Sequence, residues 1–494
     1  QQIEVLRGPQ GTLYGKNTTA GLVNFITRKP VVGGPVDGYL GVSVGRFDES
    51  IIDGAVGVPL GETTAARLAF QSRKSDGAFT NSNPASPLER TGGVDQFAWR
   101  AQLAFEPNDA LDTVLKVQYV NTDNEGKPLK NVGVLGPDCP ESPAIGDPRC
   151  SDIRGIVYSG DYYDMQDSFR TQDAIEMLTS MLTAEYTIND RYKLTSVTGL
   201  LDGERKASRD SDMGPGEIVN ASYQDDVREF SQELRISSTT DRLSWLAGLY
   251  YFRAEYRSFQ GLPAPDDPNG FWVGTGVPDS SGVKQFMDTE SYAVMLDGTL
   301  RLTDRLQLTS GARWTYDERD VVASAFMYDV SGLRHVQHGL DEALDRLLFY
   351  TVPEGRYRQD WSAWSGRLIL DYSISDDVMV WGGVSRGFKG GEFNIGLFAS
   401  VVPDLSDPEY VTSFEAGIKS RLLGGKMLFN ASAFVYDYED MHMLVVGPAD
   451  PNDPSTPNVT RQTNAGAATI RGVEAELTYR PTERWYLYAQ VGWL

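Results

Sequence analysis

The feature that most constrains this sequence is a rhythm of connections. From residue 37 onward, stretches of roughly ten residues with alternating apolar and polar side chains are joined by connections that are short and long in turn. The short ones are Leu60-Gly61-Glu62, Pro107-Asn108-Asp109, Asn189-Asp190-Arg191, Thr240-Asp241-Arg242, Thr303-Asp304-Arg305, Ser375-Asp376-Asp377, Leu423-Gly424-Gly425 and Pro481-Thr482-Glu483. Asn, Asp, Gly and Pro belong in such turns. The long ones fall near residues 74–95, 122–174, 204–225, 257–284, 319–359, 388–408 and 439–467, and only Phe47-Asp48 is short at that end. Strict alternation puts every long loop on one side of a sheet. Tilted strands of this length span a bilayer, so the pattern predicts an all-β fold, an antiparallel transmembrane β-barrel of about 17 strands.

The strands repeat the message internally. From Leu306, one face reads Leu306, Leu308, Ser310, Ala312, Trp314, Tyr316, and the other Gln307, Thr309, Gly311, Arg313, Thr315. From Thr412, Phe414, Ala416 and Ile418 oppose Ser413, Glu415, Gly417, Lys419 and Arg421. Period 2 sends the first set of each toward lipid and the second toward a wet lumen. The same alternation explains a mean hydropathy of -0.33 in a membrane protein. No run approaches the length of a membrane helix.

The first thirty residues differ. Arg7-Gly8-Pro9 sets a turn, Gly11, Gly15 and Gly21 allow further reversals or close approach, and a short strand follows from Leu22 to Ile26 before Pro30. The spacing is not that of a phosphate-binding loop, and no βαβ unit follows. This stretch closely resembles the end of the plug domain of TonB-dependent outer-membrane receptors. The family's R-G-P-x-x-x-L-Y-G run stands as Arg7 to Gly15, including Gly8, Pro9, Gly11, Leu13 and Tyr14; its G-x-[VIL]-N-x-[IV]-T run stands as Gly21 to Thr27, including Asn24.

The resemblance implies a plug remnant over residues 1–30 and a barrel over 31–494. The family's barrels have 22 strands, so about five are expected to be missing after Leu494, and the start of the plug, with its TonB box, before Gln1. Such a chain alone is expected not to form a closed, functional pore. The plug arginine of relatives meets barrel glutamates, which implies that Arg7 pairs with Glu415 and Glu474; the alternative is ordinary lumen charges facing solvent. Ser385 to Asn394 also resembles a family segment. Arg386, Phe388, Lys389 and Phe393 there would line a vestibule for an anionic, aromatic-bearing ligand, or the segment simply turns the chain at the rim.

Cys139 and Cys150 stand in a loop-like stretch rich in Pro and Gly, and in an oxidising compartment they read as a local disulfide. Closing such a loop gives about 3 kcal/mol in the entropy model. His335 and His338 share one loop and His442 is isolated; solvated loop histidines are the plain reading, and no metal site is expected. Asp266-Asp267 and Asp450 with Asp453 lack the EF-hand pattern. No catalytic constellation or cofactor motif emerges, so no enzyme activity is expected.

A net charge of -23 argues against nucleic acid. The resemblance implies energised uptake of a scarce, large ligand across a Gram-negative outer membrane, with TonB and its inner-membrane complex, outer-membrane lipid and the ligand, a ferric siderophore first, as partners. The alternatives are import of oligosaccharide or other organic nutrients by the same mechanism, a passive porin, or an adhesive β protein.

Overall fold

The computed structural model describes residues 2–494 apart from 85, 87, 127, 132, 134–135, 145, 152–154, 159, 169, 212, 216–219, 263–279, 329–353, 395–402 and 451–452. One antiparallel sheet dominates it. Its seventeen strands are Asp37–Val44, Ser50–Pro59, Thr64–Ser75, Val94–Asn108, Leu111–Asn124, Gln172–Thr187, Tyr192–Asp210, Asn220–Thr239, Leu243–Leu262, Ser280–Arg301, Leu306–Tyr328, Gly355–Ser375, Val378–Lys389, Glu409–Leu422, Met427–Asp450, Asp453–Tyr479 and Leu487–Trp493. Each pairs with its successor in this order, as the short turns require, and all eight short turns fall between strands. No helix among the described residues is long and apolar enough to cross a membrane; the crossing elements are strands.

The sheet is inside-out relative to a soluble protein. On the strand Leu306–Tyr328, the lumenal residues Arg313, Thr315 and Asp317 are buried while Ala312 is exposed. On Glu409–Leu422, Ser413 is buried and Phe414 exposed, and Trp364, Leu249 and Leu296 likewise face outward. Lipid is the solvent such side chains suit, and a filled polar lumen is what buries their neighbours.

Two expectations need correction. The strands are longer than a bilayer needs. Residues assigned to long loops at 204–225 and 439–467 largely continue as ladders, reaching 24 residues in Met427–Asp450 and 27 in Asp453–Tyr479. Beyond the membrane both faces are wet, so apolar alternation fades while backbone pairing persists. The sheet also closes, since the strand order returns from Leu487–Trp493 to Asp37–Val44. Seventeen is odd, however, so these two strands run in the same direction. Among the described residues sixteen antiparallel ladders join successive strands, and no extended ladder joins the closing pair. Leu40, Val44, Val491 and Trp493 beside that seam remain exposed.

Above the rim, Phe79–Asn81 lies between Asp164–Met165 and Arg90–Thr91 in a small sheet, and Cys139 and Cys150 are joined by a disulfide. The same loop cluster buries Asp167. Its backbone carbonyl accepts hydrogen bonds from the amides of Asn81 and Asn83, each at 3.1 Å. Burial, with the nearby Asp210 and Glu125, pushes its carboxyl up to about 7. The unfolded chain releases this proton near the ordinary value of 3.8, so the folded cluster is the better proton binder between those values. Its stability is fully present below the lower value and is lost as pH rises through the upper one. Amide protection across residues 79–91 and 164–168 should therefore fall between pH 5 and pH 8 by hydrogen exchange corrected for intrinsic rate, and Asp167→Asn should remove the dependence. Equal protection at the two pH values would refute this assignment.

Candidate functional site: the N-terminal segment in the barrel lumen

Residues 2–26 form a hairpin-like unit built on their glycines. Gln2–Arg7 pairs antiparallel with Gly21–Ile26, from Gln2 against Ile26 to Arg7 against Gly21. Asn24 donates to Glu4 across the pair at 3.2 Å. Between the strands, Gly11–Tyr14 makes a single helical turn closed by the Gly15 N–H on the Gly11 carbonyl at 3.1 Å. Leu13 is half-buried and Tyr14 exposed. Gly8 has φ +69°, and a Cβ there would stand 2.6 Å from Glu415 Oε1. Only glycine meets both demands.

The unit docks where the barrel ladder opens. The pairing of Gly355–Ser375 with Val378–Lys389 stops at Gly366 against Arg386. On its other side the second strand stays paired to Glu409–Leu422 as far as Lys389 against Glu409. One backbone edge of residues 387–389 is thus left without a strand, and the N-terminal segment fills it. The Asn17 N–H donates to the Phe388 carbonyl at 2.9 Å, and the Gly390 N–H donates to Asn17 Oδ1 at 3.0 Å. Gly11 approaches Ser365 so closely that a Cβ on it would lie 2.9 Å from the serine's own. Pro9 packs on Gly387 and Gly15 on the Arg313 guanidinium.

Charge holds the unit at two further points. Arg7 pairs with Glu474 in a contact open to water. Glu415 forms no ion pair with Arg7; it sits against Gly8 and the Tyr436 hydroxyl. The shared pairing expected for Arg7 is thus divided, because the left-handed turn at Gly8 brings backbone rather than guanidinium to Glu415. Lys16 Nζ lies 2.7 Å from Asp317 Oδ1 in a largely buried contact. Burial pulls the Lys16 ammonium below its ordinary pKa, against the opposing attraction of Asp317. Sequence reasoning missed Lys16, Asn17 and Asp317. The only signal was a cation directly after the glycine that ends the turn.

The residues read as a vestibule each make contacts within the chain. Phe388 is 2% exposed, and its backbone serves the N-terminal segment. Arg386 lies over the Tyr410 ring at 4.6 Å and reaches Thr412 at 3.2 Å and Glu439 at 3.4 Å. Lys389 reaches Glu392 at 3.4 Å. Phe393 packs with Tyr357 and Trp361 and against the buried Val283, Val321 and Ala323. Arg386 and Lys389 remain part-exposed beside these contacts, and the backbone of the segment receives Asn17.

His442 is not a solvated loop residue. It lies buried on the strand Met427–Asp450, with Nε2 2.7 Å from the Asp407 carbonyl and Nδ1 3.3 Å from Glu392 Oε1. His335, His338 and Asp266-Asp267 lie outside the described residues. Among the described residues no cluster of three or more metal-ligating side chains forms.

Residues 142–494 match the family model described as TonB dependent receptor-like, beta-barrel. The chain belongs to that family. Among curated relatives of this TonB-dependent receptor, the pesticin receptor of Yersinia pestis is 24% identical over 98% of this chain and 62% of its own length. The catecholate siderophore receptor Fiu of Escherichia coli K12 is 26% identical over 40% of this chain and 24% of its own. The chain thus spans about three-fifths of the relative it matches over most of its length. Among solved structures, the ferric yersiniabactin uptake receptor FyuA from Yersinia pestis superposes with a TM-score of 0.74 at 19% identity, covering 99% of this chain and 66% of that one.

Contact geometry sets how the docked segment should respond to substitution. Arg7→Ala removes an exposed ion pair and should cost less than about 1 kcal/mol. Gly8→Ala forces a left-handed alanine, worth about 1–2 kcal/mol, and drives a methyl group into the Glu415 carboxylate. In the intact receptor, Gly8→Ala should lower the temperature at which trypsin reaches residues 1–30 by more than Arg7→Ala does. The opposite order would contradict the docked geometry.

Proposed function

We propose that this chain is the greater part of a TonB-energised receptor that takes up a ferric siderophore across a Gram-negative outer membrane. The observation carrying this reading is the N-terminal segment docked inside the barrel, by backbone at Phe388 and Gly390 and by charge at Glu474 and Asp317. A passive porin has no use for a seated obstruction held by breakable polar contacts. In this reading residues 1–30 are the end of the plug, and ligand bound at the long-loop end biases it. TonB, on the periplasmic side, then draws it aside with energy from the inner membrane. The siderophore class is supported by relatives named as catecholate siderophore and rhizobactin receptors.

The family is one of transport receptors. In the docking site Arg7 is paired with Glu474 and Lys16 with Asp317, while the buried Ser365 Oγ and Arg319 Nε have no hydrogen-bond partner among the described residues. Outer-membrane lipid would then contact the exposed band that carries Leu249, Leu296, Trp364 and Phe414.

Two measurements check the proposal. The intact gene should be strongly induced in iron-starved cells, and its deletion should reduce energy-dependent uptake of at least one labelled ferric siderophore to the level of a strain lacking TonB. Induction by a carbon source instead, with iron uptake unaffected, would move the assignment to organic nutrients. Large resting conductance of the intact protein would favour the porin reading.

A further inference from the structure

The two ion pairs that hold the N-terminal segment are physically unlike. Arg7 and Glu474 meet in water. Lys16 keeps 19% of its side-chain exposure and Asp317 4%, and the ammonium also lies 5.9 Å from the Phe252 ring centroid. Arg319 brings a second cation to the same place. Asp317 Oδ2, Lys16 Cδ and Arg319 Nη2 stand 3.4, 3.6 and 3.8 Å from where a Gly390 side chain would begin. The pairs also differ in height. Asp317 is 11 residues past Leu306 and Glu474 five before Tyr479. With a tilted strand's rise this puts them roughly 25 Å and roughly 12 Å from the short-turn end.

A dry ion pair gains Coulomb attraction but forfeits the hydration of two ions, and the two terms nearly cancel. Taking away one partner strands a buried charge, whereas replacing both with apolar groups of similar size is neutral or tightens the contact. At Lys16 burial, with repulsion from Arg319 and Arg313, lowers the proton affinity against the opposing attraction of Asp317.

We propose that Lys16 and Asp317 form a releasable latch, a pair that fixes the register of the plug near the long-loop end yet costs little to part once water reaches it. Both are positioning residues; neither needs to touch the transported ligand. The inference rests on reading residues 1–30 as the plug of a transport receptor.

The test uses the intact receptor in outer membranes; the leak and force readouts need no ligand, and uptake is followed with a labelled ferric siderophore. Vancomycin susceptibility reports plug leak, and force spectroscopy from the periplasmic side reports plug retention. Asp317→Asn and Lys16→Met should each raise susceptibility about tenfold and lower the extraction force. The double variant Lys16→Met with Asp317→Leu, in which Arg319 keeps the attraction of Glu392, should restore or exceed the wild-type force, suppress the leak and slow energised uptake severalfold. Single variants equal to wild type in both readouts would overturn the latch, as would a double variant that leaks as the product of the two singles. If a single variant fails to reach the membrane, the double decides. Its accumulation with full retention supports the pair, and its failure alongside the singles overturns it. Should the latch pattern hold while no ferric siderophore is imported, the transport reading fails alone. Should import hold while Asp317→Asn is silent, the latch fails alone.

Discussion

Backbone hydrogen bonding in hydrocarbon is the constraint on which this structure depends. A lipid-facing N–H or C=O has no water to turn to, so each strand must lie beside another. From that follow the up-and-down order, the short turns at one end and the outward display of Phe414 and Trp364. The polar faces then have nowhere to go but the lumen, and beside Arg313, Thr315 and Asp317 the N-terminal segment occupies it. Where the ladder stops at Gly366 and Arg386, the segment supplies partners to the Phe388 carbonyl and the Gly390 N–H.

Because its contacts are polar, the filled lumen differs from a protein core. An apolar plug surface would gain from burial everywhere and would resist removal in proportion to its area. Here the segment is held by a few hydrogen bonds, the water-exposed pair of Arg7 with Glu474 and the largely buried pair of Lys16 with Asp317. Retention thus comes from geometry, above all the left-handed turn at Gly8 and the close approach at Gly11, rather than from depth of burial. That combination suits an element that must stay in place and also be moved.

The parts legible in the sequence were those governed by local chemistry. Turn residues fixed all eight short connections, period 2 fixed which faces look outward, and the spacing of Gly8, Pro9, Gly11 and Gly15 marked the docked segment. Illegible parts depended on distant partners. Lys16 and Asp317 are 301 positions apart, and no local pattern links them. Phe388 looked like a rim aromatic because its burial comes from another part of the chain. His442 looked solvated because strand pairing outlasts apolar alternation above the membrane. The division of Glu415 from Glu474 turned on one backbone dihedral angle at Gly8.

Asn17 carries a consequence of its own. It satisfies two main-chain groups of the barrel wall, the Phe388 carbonyl and the Gly390 N–H, at a stretch where the neighbouring strand has let go. When the segment leaves, those groups do not become free; they change partner, and the nearest substitute is solvent. Water at these two groups would therefore accompany any undocking rather than follow it. Undocking the segment would exchange the Asn17 N–H and its side-chain carbonyl for water at these two groups.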